Sequence, residues 1–429
     1  MNSKRKPGDQ DPEFGDLGVI AIGLDKKLDG HIRHLKEGYL IVGVAADDLN
    51  ADLRVQSKKR VIAGAAPAGF NYRTALKQGV VTARLDKDGQ LVQSYGVNGY
   101  AYIPLFEYDL SMTGVLVLPD ESVLVAVGIF DLNGGEFDSL ALVKIAADGR
   151  LDENFGNNGI YRPALLYPHS VIGGMAVQDD DAILITAATI KAPVSESVLM
   201  RIDSDGNPDV SFGKDGFVYS PHGAEGGFTR ITLDAQRRIY VAGNIGYNMA
   251  VFRFLGNGAV DKTFGLAGEF TYGDGNSIAF AANLAARDTA IYVVGALGGV
   301  GLQAAVYTKL SLDGELDQGF NGGVPLRVDL GGNAGSYVIP LDTGMIGVGT
   351  KFGLEGALTL SRITANGTLD TNFGEEGSVL TEIPGYLSPT FAEEIKGAGG
   401  MESKLLIGGG LLNPRPGEET SFWISQYLI

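Results

Sequence analysis

Four histidines, His31, His34, His169 and His222, are the side chains of this sequence whose type suits them to bind a ligand, a metal or a proton near neutral pH. Two of them recur in matching segments, P-H-S-V-I-G-G at Pro168 to Gly174 and P-H-G-A-E-G-G at Pro221 to Gly227. An imidazole repeated at one place in consecutive units marks either a shared site or the common ancestry of two similar units, and the residues alone leave both readings open. All four stand as candidate ligand-binding residues, while no residue is identifiable as catalytic. No H-x-H or H-E-x-x-H cluster offers the three or four convergent ligands a metal needs, so neither a metal nor a cofactor is expected. There is no G-x-S-x-G nucleophile motif, and the glycine-rich Gly295 to Gly301 precedes no Walker-type G-K-S or G-K-T.

What positions these histidines is a repeat. The motif D-G-x-L-D-x-x-F-G-x-x-G recurs with its aromatic at Phe14, Tyr95, Phe155, Phe212, Phe264, Phe320 and Phe373, at intervals of 52 to 60 residues after a first interval of 81. Periods of this size indicate propeller blades or solenoid units. Three residues before the aromatic stand Asp11, Asp152, Asp209, Asp261, Asp317 and Asp370, with Val92 the exception. Eleven before it stand Arg84, Lys144, Arg201, Arg253, Lys309 and Arg362. Asp-Gly or Asn-Gly seven before it supplies the positive φ of a tight turn. The later Asp suits acceptance from nearby backbone amides and pairing with the base, and the aromatic suits the gap between units. These roles account for the aspartates, whose spacing also lacks the close oxygen ligands of a calcium loop.

Short Val, Ile, Leu and Ala runs such as Val123 to Val127, bounded by turn residues, give about four strands per unit and hence a propeller blade. Gly8 to Gly15 matches only the second half of the motif and precedes a strand-like Val19 to Ile22, while Leu405 to Gly408 and Phe422 to Leu428 resemble middle strands of a unit. The two partial units add to one. The expectation is an all-β, seven-bladed β-propeller of four-stranded blades, with the N-terminal strand completing the last blade. Residues 1–7 read as a polar tail and 8–429 as a single propeller domain, its first interval carrying an insertion of about 25 residues relative to the other periods.

The repeat resembles that of the delta-60 repeat proteins of bacteria, most clearly at Asp148 to Gly159 and Asn366 to Gly377 and least at the second copy, where Val92 and Tyr95 replace Asp and Phe. The resemblance covers nearly the whole chain. It implies a β-propeller and no particular reaction.

A formal net charge of −17, from 34 basic and 51 acidic residues, argues against nucleic acid or an anionic membrane as the main partner. The basic run Lys58 to Arg60, with Arg54 upstream, falls in the insertion and reads as a solvated loop. Zero cysteines exclude disulfides and thiolate chemistry. Met1 to Gln10 has no apolar stretch of a signal peptide, so the expectation is a cytoplasmic, monomeric protein, or one exported by a route that needs no such signal. Tyr108, Tyr167, Tyr247, Tyr337 and Tyr386 lie outside the motif and suit either inter-blade packing or a sugar-stacking surface, whereas Trp423 sits in an apolar strand and reads as core.

With seven structural units and no catalytic constellation, the sequence points to a non-catalytic binding or scaffold propeller that presents the loops of one face to a protein or carbohydrate partner. The alternative is a hydrolase or lyase of lactonase-like type, with its site at the mouth of the central channel.

Overall fold

A computed structural model of the chain describes residues 6–14, 19–23, 29–46, 78–106, 109–130, 137–165, 170–189, 196–273, 277–287, 289–299, 303–351, 357–382, 387–396, 403–411 and 421–429. The strands form seven four-stranded antiparallel sheets, and no α-helix occurs among the described residues. The chain is a seven-bladed β-propeller. The inner strands of blades 1 to 7 are Asp29–Leu35, Asp109–Val117, Ser170–Val177, Gly226–Leu233, Ile278–Arg287, Asn333–Leu341 and Leu387–Ile395. Each inner strand packs on the next, and the seventh packs on the first. The ring is therefore continuous around a central channel.

The last sheet is made from both ends of the described chain. Val19–Gly23 pairs antiparallel with Ser421–Leu428, with Val19 opposite Ser425 and Gly23 opposite Ser421. Upstream, Gly8 N donates to Leu428 O at 2.8 Å and Asp11 N to Gln426 O at 2.9 Å, so the partial motif lies along the same strand.

The motif does in space what its residue types imply. In the blade 3 copy, Asp209 Oδ1 accepts from Ser211 N at 2.9 Å while Oδ2 pairs with Arg201 at 2.6 Å, and the Arg201 guanidinium lies over the Phe212 ring at 4.7 Å. The same base–acid pair recurs as Lys144–Asp152, Arg253–Asp261, Lys309–Asp317 and Arg362–Asp370, between 2.7 and 3.3 Å. Cation, ring and carboxylate thus share one local cluster.

Blades are joined through the same turns. Gly156 N, just after the Phe155 ring, donates to Asp205 O of the following blade at 2.6 Å, and Gly213 and Gly265 donate likewise to Asn257 O and Asp313 O at 2.8 and 2.7 Å. Gly206 shows why the turn glycine is required. Its φ is +81°, and a Cβ there would come within 2.8 Å of the Phe155 ring and 2.9 Å of Gly156 N. The ring is buried because the neighbouring blade has no side chain at the point of contact, and each such ring contributes roughly 1.5–3 kcal/mol.

Inner strands carry a further regularity. Blades 2 to 7 each place one bulged residue in the inner strand, namely Thr113, Gly173, Thr229, Ala282, Ser336 and Thr390, where the register with the second strand shifts. Blade 1 pairs without a shift from Asp29 to Leu35. A bulge bends the strand and leaves its extra residue outside the ladder, so six such residues ring the channel wall with a gap at blade 1.

Truncating Phe212 to Ala removes a fully buried ring and is expected to lower unfolding free energy by about 3–5 kcal/mol in denaturant titration. Deleting Met1 to Ile22 removes most of the partner strand of Ser421–Leu428 and is expected to lower the melting temperature by more than about 5 °C. An unchanged melting temperature would show that this strand contributes nothing to holding blade 7.

Candidate functional site

The two ends of the ring differ. The motif turns crowd one end, where each inner strand finishes and each outer strand begins. The other end carries the connections from outer to inner strands and from second to third strands, which share no motif across the seven units beyond the matching segments at Pro168 and Pro221. We call this the loop end. Residues 47–77 of the long first interval, with Arg54 and Lys58 to Arg60, lie outside the described residues, as do Tyr108, Tyr167, His169 and Tyr386.

The three described histidines occupy three environments, with no hydrogen bond between any two of them. His222 lies in the connection leading into blade 4, where its Nε2 is 2.6 Å from Glu269 Oε2 and its ring is 6.2 Å from that of Phe252. It is held on the outer half of that blade, toward the outer strand that Glu269 begins. His31 and His34 lie within the inner strand of blade 1. His34 Nδ1 is 2.7 Å from Glu393 Oε1 on the blade 7 inner strand, so it bridges the seam where the last blade meets the first.

His31 has a different partner. Its Nδ1 lies 3.3 Å from Arg33 Nη2. A guanidinium can only donate, so Nδ1 accepts and the imidazole proton resides on Nε2. Burial, then the positive charges of Arg33 and Arg230, push the His31 pKa down from 6.5 to about 3. The side chain is therefore a neutral N–H donor at physiological pH, not a proton shuttle.

Arg33 is a staple of the wall. Nε and Nη2 donate to Val115 O of blade 2 at 3.2 and 3.1 Å, and Nη1 donates to its neighbour Ile32 O at 2.9 Å and to Thr390 O of blade 7 at 2.7 Å. It spans the seam at the one blade that lacks a bulge. Arg230 of blade 4 repeats part of this pattern: its Nη1 donates to Thr229 O beside it at 3.0 Å and to the bulged Gly173 O of blade 3. Each arginine thus hangs on a bulge carbonyl of the preceding blade.

Glycine makes the bed for Arg230. A Cβ on Gly174 would come within 3.1 Å of Arg230 Cα and 3.4 Å of its Cδ, and one on Gly173 within 2.8 Å of Thr229 O. The residue after the bulge is Gly114, Gly174, Arg230, Asn283, Tyr337 and Phe391 in blades 2 to 7, so Arg230 is the one cation of the set. Burial lowers the Arg33 pKa, Tyr337 works against that, and the like charge of Arg230 adds to it. Two guanidiniums, a neutral imidazole and a phenol therefore share one electrostatic neighbourhood on the channel wall. Neither arginine belongs to the motif or to the matching histidine segments. Their one sequence signal is a charge inside an apolar inner-strand run, at G-H-I-R-H-L and G-F-T-R-I-T-L.

No group of three or more metal-binding side chains converges among the described residues. No helix among them is long and apolar enough to cross a membrane. Trp423 is buried in the blade 6–7 core, whereas Tyr247 is 68% exposed in a loop-end turn.

Fold and repeat place the chain in the class of seven-bladed β-propellers. Residues 178–212 match a family model described as a domain of unknown function (DUF5122) beta-propeller, which spans the middle strands and motif of blade 3 up to Phe212. No curated protein matches the sequence. Among solved structures, a protein of unknown function from Bacteroides caccae aligns with TM-score 0.37 and 15% identity over 69% of this chain and 93% of its own. The polysaccharide lyase Uly1 aligns with TM-score 0.44 and 9% identity over 92% and 89%, respectively. The catalytic domain of a Coprinopsis cinerea GH62 alpha-L-arabinofuranosidase aligns with TM-score 0.29 and 13% identity over 59% and 91%. Likeness at this level carries no functional argument.

The neutral His31 sets a pH dependence. The folded protein leaves this imidazole unprotonated, while the unfolded chain takes a proton as pH falls through 6.5, so the fold loses stability from 6.5 down toward about 3. His31→Asn is expected to flatten the fall in melting temperature between about pH 6.5 and 4.5. Equal slopes in both proteins would show that His31 titrates normally. Asp209 and Asp317 add a separate acid limb. Ser211 and Lys309, respectively, hold their pKa values down, so the stability they contribute is present above the ordinary carboxylate range and lost below it.

Proposed function

We propose that this propeller is a non-catalytic binding protein that presents its loop end, with the channel mouth at the centre, to a protein or glycan partner. One observation carries the reading. At the motif end the acids and bases of the repeat are held in ion pairs and the turns in inter-blade bonds, whereas the connections of the other end share no motif across the seven units. The likeness of the repeat to delta-60 proteins agrees with a propeller scaffold. In this reading His31 belongs to the channel wall, His34 is tied to Glu393 across the seam of blades 7 and 1, His222 is tied to Glu269 on the outer half of blade 4, and His169 lies outside the described residues.

The open donors on the channel wall also favour a second reading, a hydrolase or lyase working at the channel mouth. Glycan and protein arrays run beside turnover assays on lactones and acidic polysaccharides separate the two. Saturable capture of an array ligand without turnover is the expected result. Turnover of a substrate with no array ligand captured would replace the binding reading with the enzymatic one. His222→Ala is expected to weaken capture by about tenfold, the scale of one lost hydrogen bond to a charged group. Unchanged capture would remove His222 from the site.

A further inference from the structure

We propose that the channel wall at the bulge level is a binding site for a small carboxylate-bearing molecule, gripped by the free edge of the Arg230 guanidinium and flanked by His31 and Tyr337. This rests on the binding reading of the loop end and names the chemistry of what the channel would take.

Arg230 uses Nη1 alone, on Gly173 O and Thr229 O. Its Nε and Nη2 have no partner among the described residues. Together they form the side-on fork that matches the two oxygens of a planar carboxylate. Bonding through Nη1 fixes the fork in place before a ligand arrives, which reduces the ordering cost of binding.

The neighbours supply further donors. His31 gives Nδ1 to Arg33, so its Nε2–H remains, and this donor is unpartnered among the described residues, as is the Tyr337 hydroxyl. All three side chains are half-buried, Arg230 and Tyr337 each directly follow the bulge of an inner strand, and the charge of Arg230 acts on His31 and Arg33 as the Tyr337 phenol does on Arg33. Arg33 adds charge without adding a contact, since its donors are committed to Val115 O, Ile32 O, Thr390 O and His31. The site therefore combines two positive charges with neutral N–H and O–H groups, and no carboxylate ion pair to Arg33 or Arg230 occurs among the described residues. In a chain of net charge −17 an uncompensated pair of cations on a channel wall concentrates attraction for an anion at that one place.

A planar carboxylate suits one fork flanked by neutral donors better than a phosphate, whose extra charge and tetrahedral oxygens call for more than one open cationic edge. The test is calorimetric titration of the full chain with succinate, citrate and phosphate at ionic strength held constant with sodium chloride. Succinate or citrate is expected to bind saturably with Kd below about 1 mM. Tyr337→Phe, which leaves every wall hydrogen bond intact, is expected to weaken this by roughly threefold to tenfold, and Arg230→Gln by at least tenfold. Saturable binding to none of the three overturns the proposal, as does phosphate binding more tightly than both carboxylates. Undiminished affinity in Tyr337→Phe overturns the three-sided site, and undiminished affinity in a folded Arg230→Gln removes its centre. If Arg230→Gln does not fold, Tyr337→Phe decides. Chemical conversion of the bound carboxylate, followed by NMR, would overturn the binding reading and leave the site standing. Absence of anion binding alongside a captured array ligand would do the reverse.

Discussion

The ring depends on one small cluster, in which a cation on the third strand of a blade pairs with a carboxylate three residues before an aromatic ring in blades 2 to 6 and, in blades 2 to 4, also lies over that ring. Arg253, for example, sits 5.2 Å from the Phe264 ring centroid and 2.8 Å from Asp261. The far side of the ring meets glycine of the next blade, where any Cβ would collide, as at Gly314 against Phe264 at 2.9 Å. The cluster couples two things that are separate in most folds. The charged pair fixes the turn inside a blade, and the ring so fixed fills the seam to the next. Disturbing either half loosens the other.

Where the pattern fails, the structure shows another group taking the missing place. Blade 1 has Val92 in place of Asp, which leaves Arg84 without its usual acid, and Arg84 turns to Glu121 of blade 2 at 2.6 Å. Blade 7 has Gln426 where others have the base, and Lys404 on the adjacent strand reaches Asp11 instead at 2.5 Å. Blade 5 has Asn321 in the position of the glycine after the aromatic. Asn tolerates the positive φ of 48° found there and still donates its amide to Asn366 O of the last motif copy at 2.8 Å. A half-buried charge left unpaired is costly, so each lost partner is replaced rather than merely tolerated.

The repeat was legible from sequence because every one of its roles is local: a glycine for a left-handed turn, an acid for nearby amides, a ring at fixed offset. Fold class and blade count follow from those offsets and the strand pattern. The channel wall was not legible for the opposite reason. Arg33 and Arg230 are far apart in sequence and acquire their partners from bulge carbonyls at Thr390 and Gly173. A bulge leaves no mark in the residue pattern. Identity of type does not fix identity of place: His31, His34 and His222 are each held by a different neighbour, Arg33, Glu393 and Glu269.

The two arginines differ in what the ring asks of them. Arg33 replaces contacts that blade 1 lacks, since its inner strand has no bulge and its guanidinium bridges blades 7 and 2 across that gap. Its charge has a structural reason. Arg230 also crosses a seam, through Nη1 to Gly173 O of blade 3, but blade 4 has its own bulge at Thr229, whose hydroxyl ties the wall to Ala281 O of blade 5 at 2.6 Å. In blades 2 and 3 the residue after the bulge is Gly114 or Gly174, and the wall closes there with no side chain at all. A second guanidinium near the first carries an electrostatic cost that glycine would avoid. The Nη1 side of Arg230 takes part in closing the ring, whereas its Nε and Nη2 edge makes no bond among the described residues and takes no part in that closure.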